Sequence, residues 1–345
     1  MTRRATTAPP KLGPNDQVIG RSLALGLLPR REVGAHKWGV GGLVIVAGAP
    51  GYAGAAVLSS MAAGRAGAGI VTLACSRSVA ATVVGVVPET ATLPLPESES
   101  GAGSKRTREQ LEQRIEKSHA LLIGPGLGQD EASTALLRSL FGSVRSRVSI
   151  GFGRGTSAAD DAASVLSADG GVVVRSGKPV VIDADGLNWL AAQDDWWAWM
   201  PAGRATLTPH AGEMARLTGT ESEAVTADPL GVAREAAARW RQTVVLKCGH
   251  TVVSDGERTM VAPDAPPSLA TAGSGDVLAG TIAALVAQGL SGFDAATLAI
   301  YVGSRAARRV ERRTGTLGLV AGDLPLAIAE ELASLERGEE EGSGV

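Results

Sequence analysis

What most constrains the fold of this chain is a repeated unit: a short apolar run rich in β-branched residues, a glycine-rich loop, then a helical segment. GLVIVAG, Gly42 to Gly48, is the first clear case. Without polar alternation, such a run reads as a strand buried on both faces, as in a parallel sheet covered by helices. GAAVLSSMAAGRAG follows as a helix of small residues, and GIVTLAC as the next strand. Parallel neighbours need a crossover of this kind, and it turns right-handed. The unit recurs through HALLIGPGLG, KPVVIDADGLN, ATLTPHAGEMARL and TVVLKCGHTVVSDG, the last leading into a hairpin. Two or three helices follow, from about Gly275 to Leu335. The pattern predicts a single doubly wound α/β domain, mostly parallel, with helices on both faces.

In open sheets of this type, ligands bind beyond the carboxyl ends of the strands. GAPGYAG, GPGLG, DADGLN, TPHAGE and KCGHT all follow predicted strands, so they are expected to meet along one edge and form one site. Glycine is abundant, with 45 in 345 residues, and its clustering in these loops suits backbone that approaches a ligand. Residues 1–27 read as a flexible leader, 28–336 as the domain, and 337–345 as a disordered tail. The Gly-, Ser-, Ala- and Asp-rich stretch 146–171 reads as a surface insertion, partly disordered.

Several function classes fall away. A net charge of −2 with 3% aromatic residues gives no case for nucleic acid. No apolar run approaches membrane-spanning length. The two cysteines, Cys75 and Cys248, make neither a disulfide framework nor a zinc spacing. With no apolar signal region at the N-terminus, a cytoplasmic location is expected. Dinucleotide G-x-G-x-x-G, Walker and H-E-x-x-H motifs are all missing.

The most pointed stretch is ATAGSGDVLAGTIAAL, Ala270 to Leu285. A helix starting near Gly273 to Gly275 presents unpaired N–H groups and partial positive charge, a place for a phosphoryl group. Asp276 at its mouth would repel a resting phosphate. It is either an N-cap or first-turn residue, or a base that takes the proton of a hydroxyl as a phosphoryl group arrives. Of the four histidines only His210, in TPHAGE, is placed for a ligand, and a structural loop role suits it as well.

Taken together and in order, GAGIVTL, IGPGLG, DADGLN, LTPHAGEMARL, LK-x-G-x-T and ATAGSGDVLAG closely resemble the ADP-dependent NAD(P)H-hydrate dehydratases, a family of ribokinase-like fold. The resemblance runs from about Leu28 to about Leu326. It implies a hydro-lyase that repairs hydrated NADH or NADPH at the expense of ADP (ATP being the other candidate), leaving AMP and phosphate, with Mg²⁺ present. It implies further that Ala55, Gly126 and His210 line the pocket for the damaged dinucleotide, and that Asp276 touches its hydroxyl. Lys247, Cys248, Gly249, His250, Thr251 and Gly275 would hold the adenine nucleotide, with Gly273, Ser274 and Gly275 as anion hole. Asp183 and Asn188 would shape the pocket, through a magnesium shell. A homo-oligomer, a tetramer by family habit, is implied too. Only about 30 residues precede the dehydratase-like region, so the epimerase often fused to this family is not expected. Three departures bear on nucleotide affinity: Cys248 where the family usually has Gly, Pro266-Pro267-Ser268 in place of Asn-Pro-Gly-like residues, and Gly303-Ser304 where a His-Gly pair is common. A vitamin-alcohol kinase of the same fold, or an inactive nucleotide binder, are the alternatives.

Overall fold

The computed structural model describes residues 12–13, 16–142 and 171–339. Ten strands form one sheet: β1 (Asp16–Val18), β2 (Gly42–Val46), β3 (Ile70–Ser76), β4 (Ala91–Leu95), β5 (Ala120–Ile123), β6 (Val180–Ile182), β7 (Ala205–Leu207), β8 (Thr243–Leu246), β9 (Val252–Ser254) and β10 (Thr259–Val261). Their order is β1-β10-β9-β8-β7-β6-β5-β2-β3-β4. All pairings are parallel except β8 with β9 and β9 with β10, so β9 alone runs against the rest.

β2, β5, β6, β7 and β8 are buried along their whole length, as their unbroken apolar runs require. Successive residues serve opposite cores. Leu43 and Ile45 pack with helices Ala53–Arg65, Ser274–Ala287 and Gly292–Gly318, while Val44 and Val46 pack with helices Lys105–Glu116, Glu131–Phe141 and Pro229–Trp240. The doubly wound expectation therefore matches the two-sided packing.

From β2 the chain moves outward to β3 and β4, then returns to lay β5 on the other side of β2. The reversal opens a crevice at the carboxyl ends of β2 and β5, the place where this class of sheet takes ligands.

The expected flexible leader needs correction. Asp16–Val18 pairs in parallel with Thr259–Val261, and Ile19 and Ala24 are buried against the helices of one face. The Asp16 carboxylate, itself buried, pairs with Arg234. Residues 16–26 thus belong to the fold. The expected insertion falls almost wholly on 143–170, outside the described residues. Its flanks meet: Gly171 N–H donates to the Phe141 carbonyl at 3.3 Å. Of the expected tail, 340–345 lie outside the described residues.

Candidate active site

Five strand ends deliver the loops. After β2, Gly48 N–H donates to the Pro125 carbonyl at 2.8 Å, tying the GAPGYAG loop to GPGLG after β5. The fit is tight because Gly126 sits at φ +57°, where a Cβ would lie 2.7 Å from the Ala55 Cβ and 2.9 Å from that of Tyr52. Ala55 and Gly126 are therefore direct neighbours at the crevice. One turn further along the same helix, Leu58 reaches the other motif: a Cβ on Gly273 would lie 2.4 Å from it.

Gly273 is the N-cap of helix Ser274–Ala287, in the left-handed region at φ +91°, and no side chain caps the helix. Ser274 Oγ turns back to donate to the Leu269 and Thr271 carbonyls, at 2.8 and 3.0 Å. Ser274 N–H donates to the Thr271 carbonyl at 3.4 Å, which leaves the next first-turn N–H, that of Gly275, with its capacity to bind an anion. Asp276 is not the N-cap. It stands in the first turn, half-buried. Loss of hydration, reinforced by the Asp183 charge and only partly offset by Lys247, pushes its carboxyl up to about 7.

Lys247 joins the two halves of the site. Its ammonium donates to Asp183 Oδ1 at 2.8 Å, and a Cβ on Gly275 would lie 3.3 Å from its Nζ. Burial works to lower its pKa, but Asp183, Glu213 and Asp276 outweigh that and hold the ammonium above its ordinary value. Asp183 also accepts from Thr208 Oγ1 at 2.6 Å. Its backbone is clamped as well, since a Cβ on Gly124 would lie 1.8 Å from the Asp183 carbonyl oxygen. The next residue, Ala184, takes φ +48°, an uncommon conformation for a residue with a side chain. That turn sends consecutive carboxylates apart, and Asp185 Oδ2 instead accepts from Gly128 N–H at 2.8 Å.

Asp183 and Asn188, expected to shape one pocket between them, serve different places. Asn188 donates to Asp185 Oδ1 at 3.2 Å and accepts from Arg216. Among the described residues no group of three or more His, Cys, Asp or Glu side chains could hold a metal ion. Asp183 Oδ1 is already shared by Lys247 and Thr208. This donor set does not fit a protein-held magnesium.

His210 caps helix Ala211–Thr218. Its Nδ1 accepts from Gly212 and Glu213 N–H groups at 3.0 and 3.2 Å, while Glu213 Oε2 accepts from His210 N–H at 2.8 Å. The imidazole is about half exposed, and its Nε2 lies 3.6 Å from Glu213 Oε1. His210 and Lys247 are bridged across adjacent strand ends, with Lys247 N–H on the Pro209 carbonyl at 2.8 Å.

Beside the glycine turn lies a cavity of about 440 Å³. Lys247, Cys248, Gly249, Thr251, Ser274 and Gly275 are among the residues that line it. His250 is not in its wall; its Nδ1 lies 2.9 Å from the Ala262 carbonyl oxygen. The departures noted in sequence gather here except for the buried Ser268, with Pro266, Pro267, Gly303 and Ser304 lining the same space as Cys248. Ala55, Gly126 and His210 lie outside it, so the expected residues divide into two groups that meet at Lys247 and the glycine turn. Thr208, Glu213, Asp185 and Arg216 escaped the sequence reading. Glu213 alone left a signal, standing three residues after a strand-end His as a capping-box glutamate does.

Comparison with known proteins bears on this arrangement. A family model described as NAD(P)H-hydrate dehydratase matches residues 43–150 and 143–330. The chain is 31% identical over 329 residues to an ADP-dependent (S)-NAD(P)H-hydrate dehydratase of Xanthomonas campestris pv. campestris, covering 94% of this chain and 99% of that one. It is 36% identical over 324 residues to a bifunctional NAD(P)H-hydrate repair enzyme of Moorella thermoacetica, covering 93% of this chain and 55% of that one. The chain thus spans about half the length of the bifunctional relatives. Among solved structures, an ADP/ATP-dependent NAD(P)H-hydrate dehydratase from Bacillus subtilis, co-crystallised with ATP and Mg²⁺, superposes with a TM-score of 0.69 at 22% identity, covering 95% of this chain and 100% of that one. A ribokinase-like superfamily protein from Enterococcus faecalis gives 0.74 at 19% identity, covering 94% and 98%. The fold is ribokinase-like, and the chain belongs to the NAD(P)H-hydrate dehydratase family.

Proposed function

We propose that this chain is a hydro-lyase that removes water from (6S)-NAD(P)H hydrate at the expense of ADP, giving NAD(P)H, AMP and phosphate. The observation that carries the reading is the position of Asp276: a half-buried carboxyl, held at about 7, in the first turn of an uncapped helix between two sets of loops. A base with that pKa is half ionised at neutral pH, which suits proton abstraction. The cavity bearing Lys247, Gly249, Thr251 and Gly275 takes the adenine nucleotide, with the Gly275 N–H and the Lys247 ammonium meeting its phosphate. The crevice of Ala55, Gly126 and His210 takes the damaged dinucleotide.

Asp276 accepts the hydroxyl proton as the hydroxyl oxygen bonds to the terminal phosphorus of ADP. The bond from that phosphorus to the bridging oxygen breaks, and AMP leaves. The carbon–oxygen bond then breaks with its electron pair going to phosphate, a far better leaving group than hydroxide. Loss of a ring proton restores the dihydropyridine. Mg²⁺ enters this scheme with the nucleotide, because hard cations of its kind are readily held by phosphates and water. The same proposal includes a cytoplasmic homo-oligomer, a tetramer by family resemblance, which light scattering of the purified protein would test.

The test of activity is return of dihydronicotinamide absorbance from hydrated NADH or NADPH, with Mg²⁺ and either ADP, ATP or no nucleotide. Nucleotide-dependent recovery that collapses in Asp276→Asn supports the reading. A folded protein giving no recovery with any nucleotide overturns it.

A further inference from the structure

At the rim of the crevice stands a guanidinium that the reaction above leaves unused. Arg216 is exposed on helix Ala211–Thr218, and its Nε and Nη2 both donate to Asn188 Oδ1, at 3.1 and 2.9 Å. Asn188 Nδ2 donates to Asp185 Oδ1 at 3.2 Å, and the other oxygen of Asp185 accepts from Gly128 N–H in the GPGLG loop. An exposed arginine normally samples many rotamers, and ordering it costs entropy. Here a chain of three side chains ties it to one of the loops that form the crevice.

What Arg216 lacks is an opposite charge. None of the ion pairs among the described residues involves it, and its partner Asn188 is neutral. The bonded edge faces Asn188, which leaves the Nη1 side free. Nη1 looks toward Gly212, where an added Cβ would lie 3.9 Å from it and 3.1 Å from His210 Cε1. A side chain on Gly212 would crowd the imidazole, so the bare glycine lets His210 and this fixed, uncompensated cation lie close together at the rim. His210 in turn bridges to Lys247, beside the glycine turn. A pre-organised guanidinium of this kind matches phosphate oxygens, in geometry as well as charge.

We propose that Arg216 is a substrate-binding residue that takes a phosphate group of the hydrated dinucleotide, with Asn188 as the residue that positions it. The proposal rests on the dehydratase reading. The phosphate is either the bridging pyrophosphate or the 2′-phosphate of the NADPH form, and the two sources are separable by experiment.

Steady-state kinetics of Arg216→Gln, Arg216→Lys and Asn188→Ala with NADH hydrate and NADPH hydrate, at saturating ADP, test it. Arg216→Gln is expected to raise the KM for hydrate roughly 10- to 100-fold, the size of one charge-assisted contact. The KM for ADP should stay put, and kcat should move far less than KM. Asn188→Ala, which frees the guanidinium without removing it, should give a smaller rise of the same kind. Equal rises for both hydrates assign the pyrophosphate; a rise for NADPH hydrate alone assigns the 2′-phosphate. Unchanged KM for both hydrates in Arg216→Gln overturns the proposal, as does a loss confined to kcat. Calorimetric titration of intact NADH and NADPH into the same variants separates this idea from the activity itself. A wild type that binds dinucleotide in an Arg216-dependent way, yet never turns over, would sink the dehydratase reading and keep Arg216 as a phosphate contact. Binding of both dinucleotides that is indifferent to Arg216→Gln would sink the contact whatever the activity. Thermal melts establish that the variants are folded.

Discussion

Asp276→Asn should make this protein more stable and nearly inactive, and both effects come from one piece of geometry. Burial and the Asp183 charge hold the Asp276 carboxyl at about 7, against an ordinary value of 3.8. Between those two values the folded chain keeps a proton that the unfolded chain has released. Stability falls with rising pH wherever the native state binds more protons, so the cost of this carboxylate builds up between about pH 4 and pH 7 and is fully present above pH 7. At about 1.4 kcal/mol per tenfold change in the proton equilibrium, the full difference is about 4 kcal/mol. The residue keeps part of its hydration, which brings the effect to roughly 2–4 kcal/mol. Asparagine is close in shape and carries no charge, so it should recover that amount at pH 8 and almost none at pH 4. Urea unfolding of both proteins across pH 4–8 measures the difference directly. The rate side follows from the same carboxyl: kcat/KM of the wild type should fall as pH drops through about 7, and Asp276→Asn should lose about 10²- to 10⁴-fold, the usual contribution of a general base. An acid limb centred near pH 4, together with no stabilisation of Asp276→Asn at pH 8, would refute the reasoning.

Other perturbations probe the rest of the frame. Lys247→Met removes the one charge that lowers the Asp276 pKa, so any residual activity should show its acid limb shifted upward. It also leaves Asp183 buried without its cation, at a cost of about 3–5 kcal/mol visible in urea unfolding. Gly124→Ala drives a methyl group to 1.8 Å from the Asp183 carbonyl oxygen at φ +125°, and should abolish soluble, folded protein rather than merely slow it. Gly275→Val, placed against the Lys247 ammonium, should raise the KM for ADP more than the KM for hydrate, checked by varying each substrate in turn. Deleting residues 1–27 should lower the melting temperature markedly, because it bares the β10 edge and removes Ile19 and Ala24 from the core.

The strands were legible because a parallel strand buried on both faces must be apolar throughout, and no other local structure gives such short unbroken runs next to glycine loops. Ser274 as the start of a helix was legible for a similar local reason: Gly273 can take the left-handed turn that precedes it. The short β1 was missed because three residues, two of them polar, carry no periodicity; only pairing with β10 and the Asp16–Arg234 ion pair make DQV a strand. His210 illustrates a divided result. Its loop was evident, whereas its use of Nδ1 as a helix cap depends on two N–H groups that exist only once the helix Ala211–Thr218 has formed.

By itself the sequence determined the repeat of buried strand, glycine loop and helix, the glycine turn in front of Asp276 and the motifs that mark the family, all properties set within a few residues by sterics and burial. Only the tertiary structure decided that Asp183 faces Lys247 while Asp185 and Asn188 serve Arg216. It alone also placed Cys248, Pro266, Pro267, Gly303 and Ser304 in one cavity wall and set the Asp276 carboxyl near neutrality. The physical reason is that desolvation and Coulomb interactions depend on distances between groups far apart in sequence. The Asp183–Lys247 pair spans 64 positions, and no local pattern encodes such a separation until the sheet brings its strand ends together.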